Sequence, residues 1–261
     1  MKIRLLLLTQ LFAAGFLLSG CNDDPAYAAQ VQAIRKRGII HVGTQSDAPR
    51  ISYLNPETNE LEGLEIDLAR HIAEAVIGDK DAVSFILTTT PLRGPMLDNG
   101  EVDMIIAAYT ITEERKRHYN FTSPYYVDHI GFMVRKDSGI TEFADMQGKT
   151  IGVVRGTTAS QSVTIEADML GITVAFAEFS SNPLVLAALL AGQVDAYSID
   201  TSLLIGYLQE ETRLLPDRFD PQEYGIATKR ENDALVAYLD TLILRMQQDG
   251  TLPALLRKWE L

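Results

Sequence analysis

The 261-residue chain is poor in cysteine, histidine, tryptophan and positive charge. Its one cysteine, Cys21, leaves no partner for an internal disulfide. The four histidines, His41, His71, His118 and His129, show no close paired spacing and no cysteine accompanies them, which argues against a metal site. No cofactor is expected. Lys and Arg number 23 against 35 Asp and Glu, a formal charge of −12, which makes the chain a poor candidate for nucleic acid, whose binding rests on neutralising phosphates. Any anion it holds must be met by a few local cations. Ser160 and Ser162 lack a nucleophile-elbow context, and Gly156-Thr157-Thr158 lacks the glycines and lysine of a nucleotide loop.

Long hydrophobic runs are scarce as well. The run from Leu5 to Leu18 follows Lys2 and Arg4, is too short for a confident membrane span, and has the shape of a secretory signal. It ends at Leu18-Ser19-Gly20-Cys21, which resembles a bacterial lipobox, in which the cysteine becomes the lipid-bearing first residue. Residues 1–20 are therefore expected to be a lipoprotein signal peptide, Cys21 the lipidation site, and 21–28 a tether. No second hydrophobic span follows. The remainder is long enough for two α/β lobes.

What the chain has in quantity is a repeated strand, polar loop and helix. The stretch from Asp103 to Tyr126 organises the rest: Met104 to Ile106 suit a buried strand, Ala107-Ala108-Tyr109-Thr110 turn at its carboxyl end, and Thr112 opens a helical turn carrying Arg115. Open α/β sheets bind ligands at the carboxyl ends of their strands, where helix N-termini present free N–H groups. An arginine fork added there describes a carboxylate receptor. Similar loops follow at Gly43 to Pro49, with Gln45, at Thr88 to Arg93, and at Arg155 to Ser160; the strand from Val194 ends at Asp200. From the residues alone, Glu113 to Arg117 reads equally as a solvated helical face, and Asp200 as the N-cap of a helix through Leu203 and Leu204. Two connections, at Ser123 to Tyr126 and within Leu214 to Tyr224, read as crossings between lobes and so as a hinge.

With those residues in hand, the chain resembles the family 3 solute-binding proteins, the extracytoplasmic receptors of polar amino-acid ABC importers. The likeness is carried by Gly63-Leu64-Glu65-Ile66-Asp67-Leu68-Ala69, by Thr110 with Arg115, by Gly156-Thr157-Thr158, and by Val194-Asp195-Ala196 leading to Asp200. Arg93-Gly94-Pro95, Tyr119-Asn120-Phe121, Leu215-Pro216-Asp217, Pro221-Gln222 and Tyr224-Gly225 are most similar to the aspartate- and glutamate-binding members. The resemblance implies a two-lobe periplasmic binding protein fold of type II, each lobe a mostly parallel sheet flanked by helices, with 29–123 and 222–261 in one lobe and 124–221 in the other. It implies a monomer anchored at a membrane outside the cytoplasm, working with an ABC permease.

By the same resemblance Arg115 binds the ligand α-carboxylate with backbone N–H groups near Thr110 and Thr158, Asp200 binds the α-ammonium, and Arg93 faces the ligand side chain. Ala108, Thr157 and Ser198 are further candidate contacts. Gln45 stands where the acidic-ligand members commonly place a lysine, and Asn182 where an aromatic hydroxyl is usual. Aspartate or glutamate is the ligand expected first, and glutamine or asparagine the competitor, since Gln45 can pair with an amide. The rival class is an enzyme on this scaffold, like the cyclohexadienyl dehydratases, which would need a general acid aimed at a leaving hydroxyl.

Overall fold

The computed structural model describes residues 25–261; the expected signal peptide and Cys21 lie outside them. Helix α1 (Pro25–Arg37) begins inside the stretch expected to be a tether and leads into strand β1 (Ile40–Thr44). A small antiparallel sheet follows, built of β2 (Asp47–Ala48), β3 (Ser52–Leu54) and β4 (Leu61–Glu62). Helix α2 (Leu64–Ile77) follows directly on Gly63. Its first N–H groups already have acceptors, Leu64 donating to the Arg50 carbonyl and Glu65 to that of Ile51. Strand β5 (Val83–Leu87), helix α3 (Arg93–Asp98), strand β6 (Met104–Ile105), the single-turn helix α4 (Glu113–Lys116) and strand β7 (Tyr119–Phe121) complete this half.

The second half opens with the long strand β8 (Tyr126–Arg135). It continues through β9 (Thr150–Val154), α5 (Ala159–Leu170), β10 (Ala175–Phe179), α6 (Asn182–Leu190), β11 (Ala196–Asp200) and α7 (Thr201–Gly206). Strands β12 (Thr212–Leu214) and β13 (Phe219–Tyr224) lead back to β14 (Ala227–Lys229), and helices α8 (Asp233–Gln248) and α9 (Thr251–Lys258) close the chain.

Besides the small sheet there are two larger ones, one per lobe. The first has the order β5-β1-β6-β14-β7, and the second β10-β9-β11-β8-β12 with β13 also on β8. Both are mostly parallel as expected, but mixed, with one strand in each running against the others. β14 runs against β6 and β7, and β8 runs against β11, β12 and β13. The parallel pairs are those joined through a helix, and β8 is the one strand of the second sheet that runs against the others. Its first residues pair with the last of β13, Tyr126 opposite Tyr224, so the two crossings lie side by side as a ribbon.

Helices α1, α2, α8 and α9 bury one face of the first sheet with Val31, Leu68, Ile72, Leu239 and Ile243. In the second lobe Phe132 stacks on Phe143 at 4.6 Å on one face, while α6 and α7 cover the other. That last cluster also takes in Ala48 and Ile51 of the small sheet, fully buried, so the small sheet reaches across from the first lobe into the second. Among the described residues no helix is long and apolar enough to cross a membrane.

Gly63 makes the small sheet's approach to α2 practicable. Its φ is +130°, and a Cβ there would sit 2.3 Å from the Ile51 carbonyl oxygen, a backbone atom that cannot turn aside. Gly63→Ala should therefore destabilise the protein by more than about 1 kcal/mol in urea unfolding. An unchanged midpoint would mean that the Arg50–Ile51 turn is free to shift.

Candidate functional site

The carboxyl ends of β1, β6 and β11 meet the N-terminus of α5 across a narrow cleft. The space within the pocket there, its open mouth included, is about 330 Å³. Gln45, Thr90, Arg93, Ala108, Thr110 and Arg115 line it from the first lobe; Thr157, Thr158, Asn182 and Asp200 line it from the second.

The cationic wall is built by the chain after β6. The Thr112 hydroxyl accepts the Arg115 N–H at 3.1 Å and caps α4, and this single turn brings the guanidinium back over Thr110. Arg115 Nη1 donates to the Thr110 carbonyl at 2.7 Å and Nη2 to the Gly156 carbonyl, across the cleft, at 3.1 Å. Of its five N–H groups three remain unused. Arg93 differs. It donates to the carbonyls of Thr90, Ala107 and Ala108 at 3.0 Å each and to Gly156 at 3.4 Å, which leaves one N–H. Both guanidiniums lie over the Tyr109 ring, at 4.3 Å for Arg93 and 4.6 Å for Arg115. Burial and the nearby Arg115 charge lower the pKa of Arg93 to about 10, and burial also lowers that of Arg115.

The anionic wall is Asp200. It occupies the N-cap position of α7, yet its side chain makes no capping bond; Asp128 accepts the Ser202 N–H at 3.0 Å instead. Asp200 is buried, and its Oδ1 has no hydrogen-bond partner. Burial first, and then the neighbouring Asp128, raise its pKa to about 7, although the Tyr224 hydroxyl and a backbone N–H lie close enough to favour the ionised form.

Other expected contacts sort themselves by what they touch. Gln45 is buried with Nε2 on the Thr90 hydroxyl at 3.3 Å, and Oε1 has no partner. The Thr157 hydroxyl donates to Val154 and that of Thr158 to Gln222, so both hydroxyls are engaged within the protein, and the two residues line the pocket just ahead of the N-terminus of α5. Asn182 lines the pocket, but its amide is engaged: Nδ2 donates to the carbonyl and carboxylate of Asp47, and Oδ1 accepts from the Tyr197 hydroxyl at 2.6 Å. Asp47 also takes the Asn182 backbone N–H, and its carbonyl accepts from Tyr207, so this cluster joins the lobes rather than awaiting a ligand. Ser198 does not line the pocket; within β11 its hydroxyl donates to the Gly131 carbonyl at 3.0 Å.

Three contributors escape sequence reading. Tyr109 carries no signal beyond its place between Ala108 and Thr110, and Gly156 acts through its carbonyl. Glu65, fully buried, accepts the Ala108 N–H at 2.6 Å and the Tyr125 hydroxyl at 2.5 Å. An acid between Leu64 and Ile66 at the start of an apolar helix was the available clue.

A cation with donors to spare faces a carboxyl group with an oxygen unmet, on opposite lobes of a hinged fold. The same arrangement of chain is found in known proteins. The sequence profile of the bacterial extracellular solute-binding proteins, family 3, matches residues 40–261. The chain belongs to that family. The ABC transporter glutamine-binding protein GlnH of Bacillus subtilis is 32% identical over 269 residues, covering 99% of this chain and 97% of the relative. The glutamate-binding protein GluB of Corynebacterium glutamicum is 30% identical over 257 residues, 93% and 85% of the two chains. A crystal structure of an ancestral amino acid-binding protein described as a precursor of cyclohexadienyl dehydratase superposes with a TM-score of 0.79 at 27% identity, covering 88% of this chain and 99% of that one. The fold is that of the type II periplasmic binding proteins.

In this solute-binding protein the raised pKa of Asp200 has a measurable consequence. Folded, the group holds its proton up to about pH 7; unfolded, it releases it near 3.8. Between those values the folded state binds more protons, so this group makes stability fall as pH rises from about 4 to about 7. Asp200→Asn should flatten that part of the stability profile in urea unfolding. An unaltered slope would assign the titration to another group.

Proposed function

We propose that this protein is the extracytoplasmic receptor of an ABC importer for a polar amino acid, held at the membrane by lipid on Cys21. In this reading 29–123 with 222–261 and 124–221 are the lobes that close on the ligand. The observation that carries it is Asp200 Oδ1, a buried carboxylate oxygen without a partner, in the same pocket as the three unused N–H groups of Arg115. A zwitterion leaving water needs each charge met, because an unpaired buried charge is prohibitive. Arg115 and the first turn of α5 meet the α-carboxylate, and Asp200 meets the α-ammonium. The two side chains belong to different lobes, so the full set of contacts exists only in the closed form, and that difference drives closure, as in periplasmic binding proteins generally.

The side chain that fits best is glutamine's. Gln45 Oε1 offers an acceptor and Arg93 one remaining N–H donor, which suits an amide with its NH2 and its carbonyl. A carboxylate could use the donor but not the acceptor. This puts glutamine ahead of the aspartate and glutamate that the sequence favours, with glutamate second because Arg93 remains a cation. The ligands named for the Bacillus and Corynebacterium relatives form this pair. Catalysis is disfavoured. Asp200 is the one acid among the lining residues, and the ammonium engages it.

Calorimetric titration with the twenty amino acids should find glutamine tightest and glutamate next. Arg115→Ala and Asp200→Ala should each weaken binding by about 2 to 5 kcal/mol, more than tenfold, while leaving unfolding cooperative. Near-normal affinity in either variant would make its charge structural.

A further inference from the structure

Glu65 is fully buried and is not among the residues that line the pocket. Its Oε1 accepts from the Ala108 N–H and from the Tyr125 hydroxyl. The peptides on either side of that N–H are where Arg93 is seated, since Arg93 Nη1 donates to the carbonyls of Ala107 and Ala108. The acid and the guanidinium thus grip one short segment from opposite sides. Ala108 is held there at φ +44°, a left-handed conformation that a residue with a Cβ seldom adopts without help. No direct ion pair joins the two groups, yet each feels the other's charge. Burial raises the pKa of Glu65; against that, the two donations to Oε1, the Arg93 charge and its place in the first turn of α2 favour the ionised form.

We propose that Glu65 is a positioning residue that sets the choice between an amide and a carboxylate side chain. It fixes the Ala107–Ala108 segment that commits the donors of Arg93, and its charge offsets that of Arg93. The side-chain subsite is then close to neutral and takes glutamine. Without the Glu65 charge the same subsite is cationic and gains for glutamate. This inference rests on the amino-acid reading above and deepens it.

The ratio of dissociation constants for glutamine and glutamate isolates the effect. Both ligands share the α-ammonium and α-carboxylate, so changes at Asp200, at Arg115 or in overall stability cancel in the ratio. Glu65→Gln keeps the size and an acceptor for Ala108 while removing the charge. It should move the ratio toward glutamate by about tenfold, the scale of a unit charge acting across a protein interior of effective dielectric about 20. Tyr125→Phe removes one donor that favours the ionised acid and should move the ratio the same way by about threefold, which keeps the test decisive if Glu65→Gln does not fold. A ratio within twofold of wild type in every variant that folds overturns the proposal and leaves the receptor reading intact. A wild-type protein that binds neither ligand overturns both.

Discussion

A carboxylate removed from water with one oxygen unmet is costly, and Asp200 carries that cost on the wall of a cleft rather than in a core. The raised pKa expresses the same strain in protonation, with burial and Asp128 both resisting the charge. Across the pocket the strain has the opposite sign. Arg93 and Arg115 crowd together closely enough that Arg115 lowers the pKa of Arg93, and the Tyr109 ring and the Gly156 carbonyl hold them in place. In the receptor reading proposed above, one molecule bearing an ammonium and a carboxylate would relieve both walls at once.

The chain from Ala107 to Arg115 is the part on which this depends. Its local features serve one end: a positive φ at Ala108, a carbonyl at Thr110 that receives Arg115, and a Thr112 cap that fixes where Arg115 begins. Support comes from far away in sequence. Glu65 grips Ala108 from below, and Tyr125 ties Glu65 to the first crossing, where the Tyr125 N–H also donates to the Tyr224 carbonyl of the second. Tyr224 in turn lies beside Asp200. The hinge ribbon and both walls of the pocket are therefore in contact through a few buried side chains.

Thr110, Arg115 and Asp200 are legible in sequence because their signals are local: a strand, a turn, a capped helix, or a strand ending in an acid. The strands too are legible as runs such as Ile130 to Val134. Their directions are not, because the antiparallel partners of β8 arrive only after α5 and α6, too far along the chain for a local signal. Asn182 occupies a position that invites a ligand role, and only the structure brings Asp47 and the Tyr197 hydroxyl to its amide. Arg93 is legible as a cation but not as one whose donors are nearly all engaged by carbonyls. Glu65 meets Ala108 from 43 residues away, and Arg115 meets Gly156 from 41, separations that no periodicity reports.

The most direct measurement of the central claim is a crystal structure of the protein soaked or grown with glutamine. The account predicts the ligand ammonium within about 3 Å of Asp200 Oδ1 and its α-carboxylate on the Arg115 fork, with the lobes closed on both. A ligand bound in the reverse sense, or held by one lobe with Asp200 Oδ1 facing only water, would contradict it.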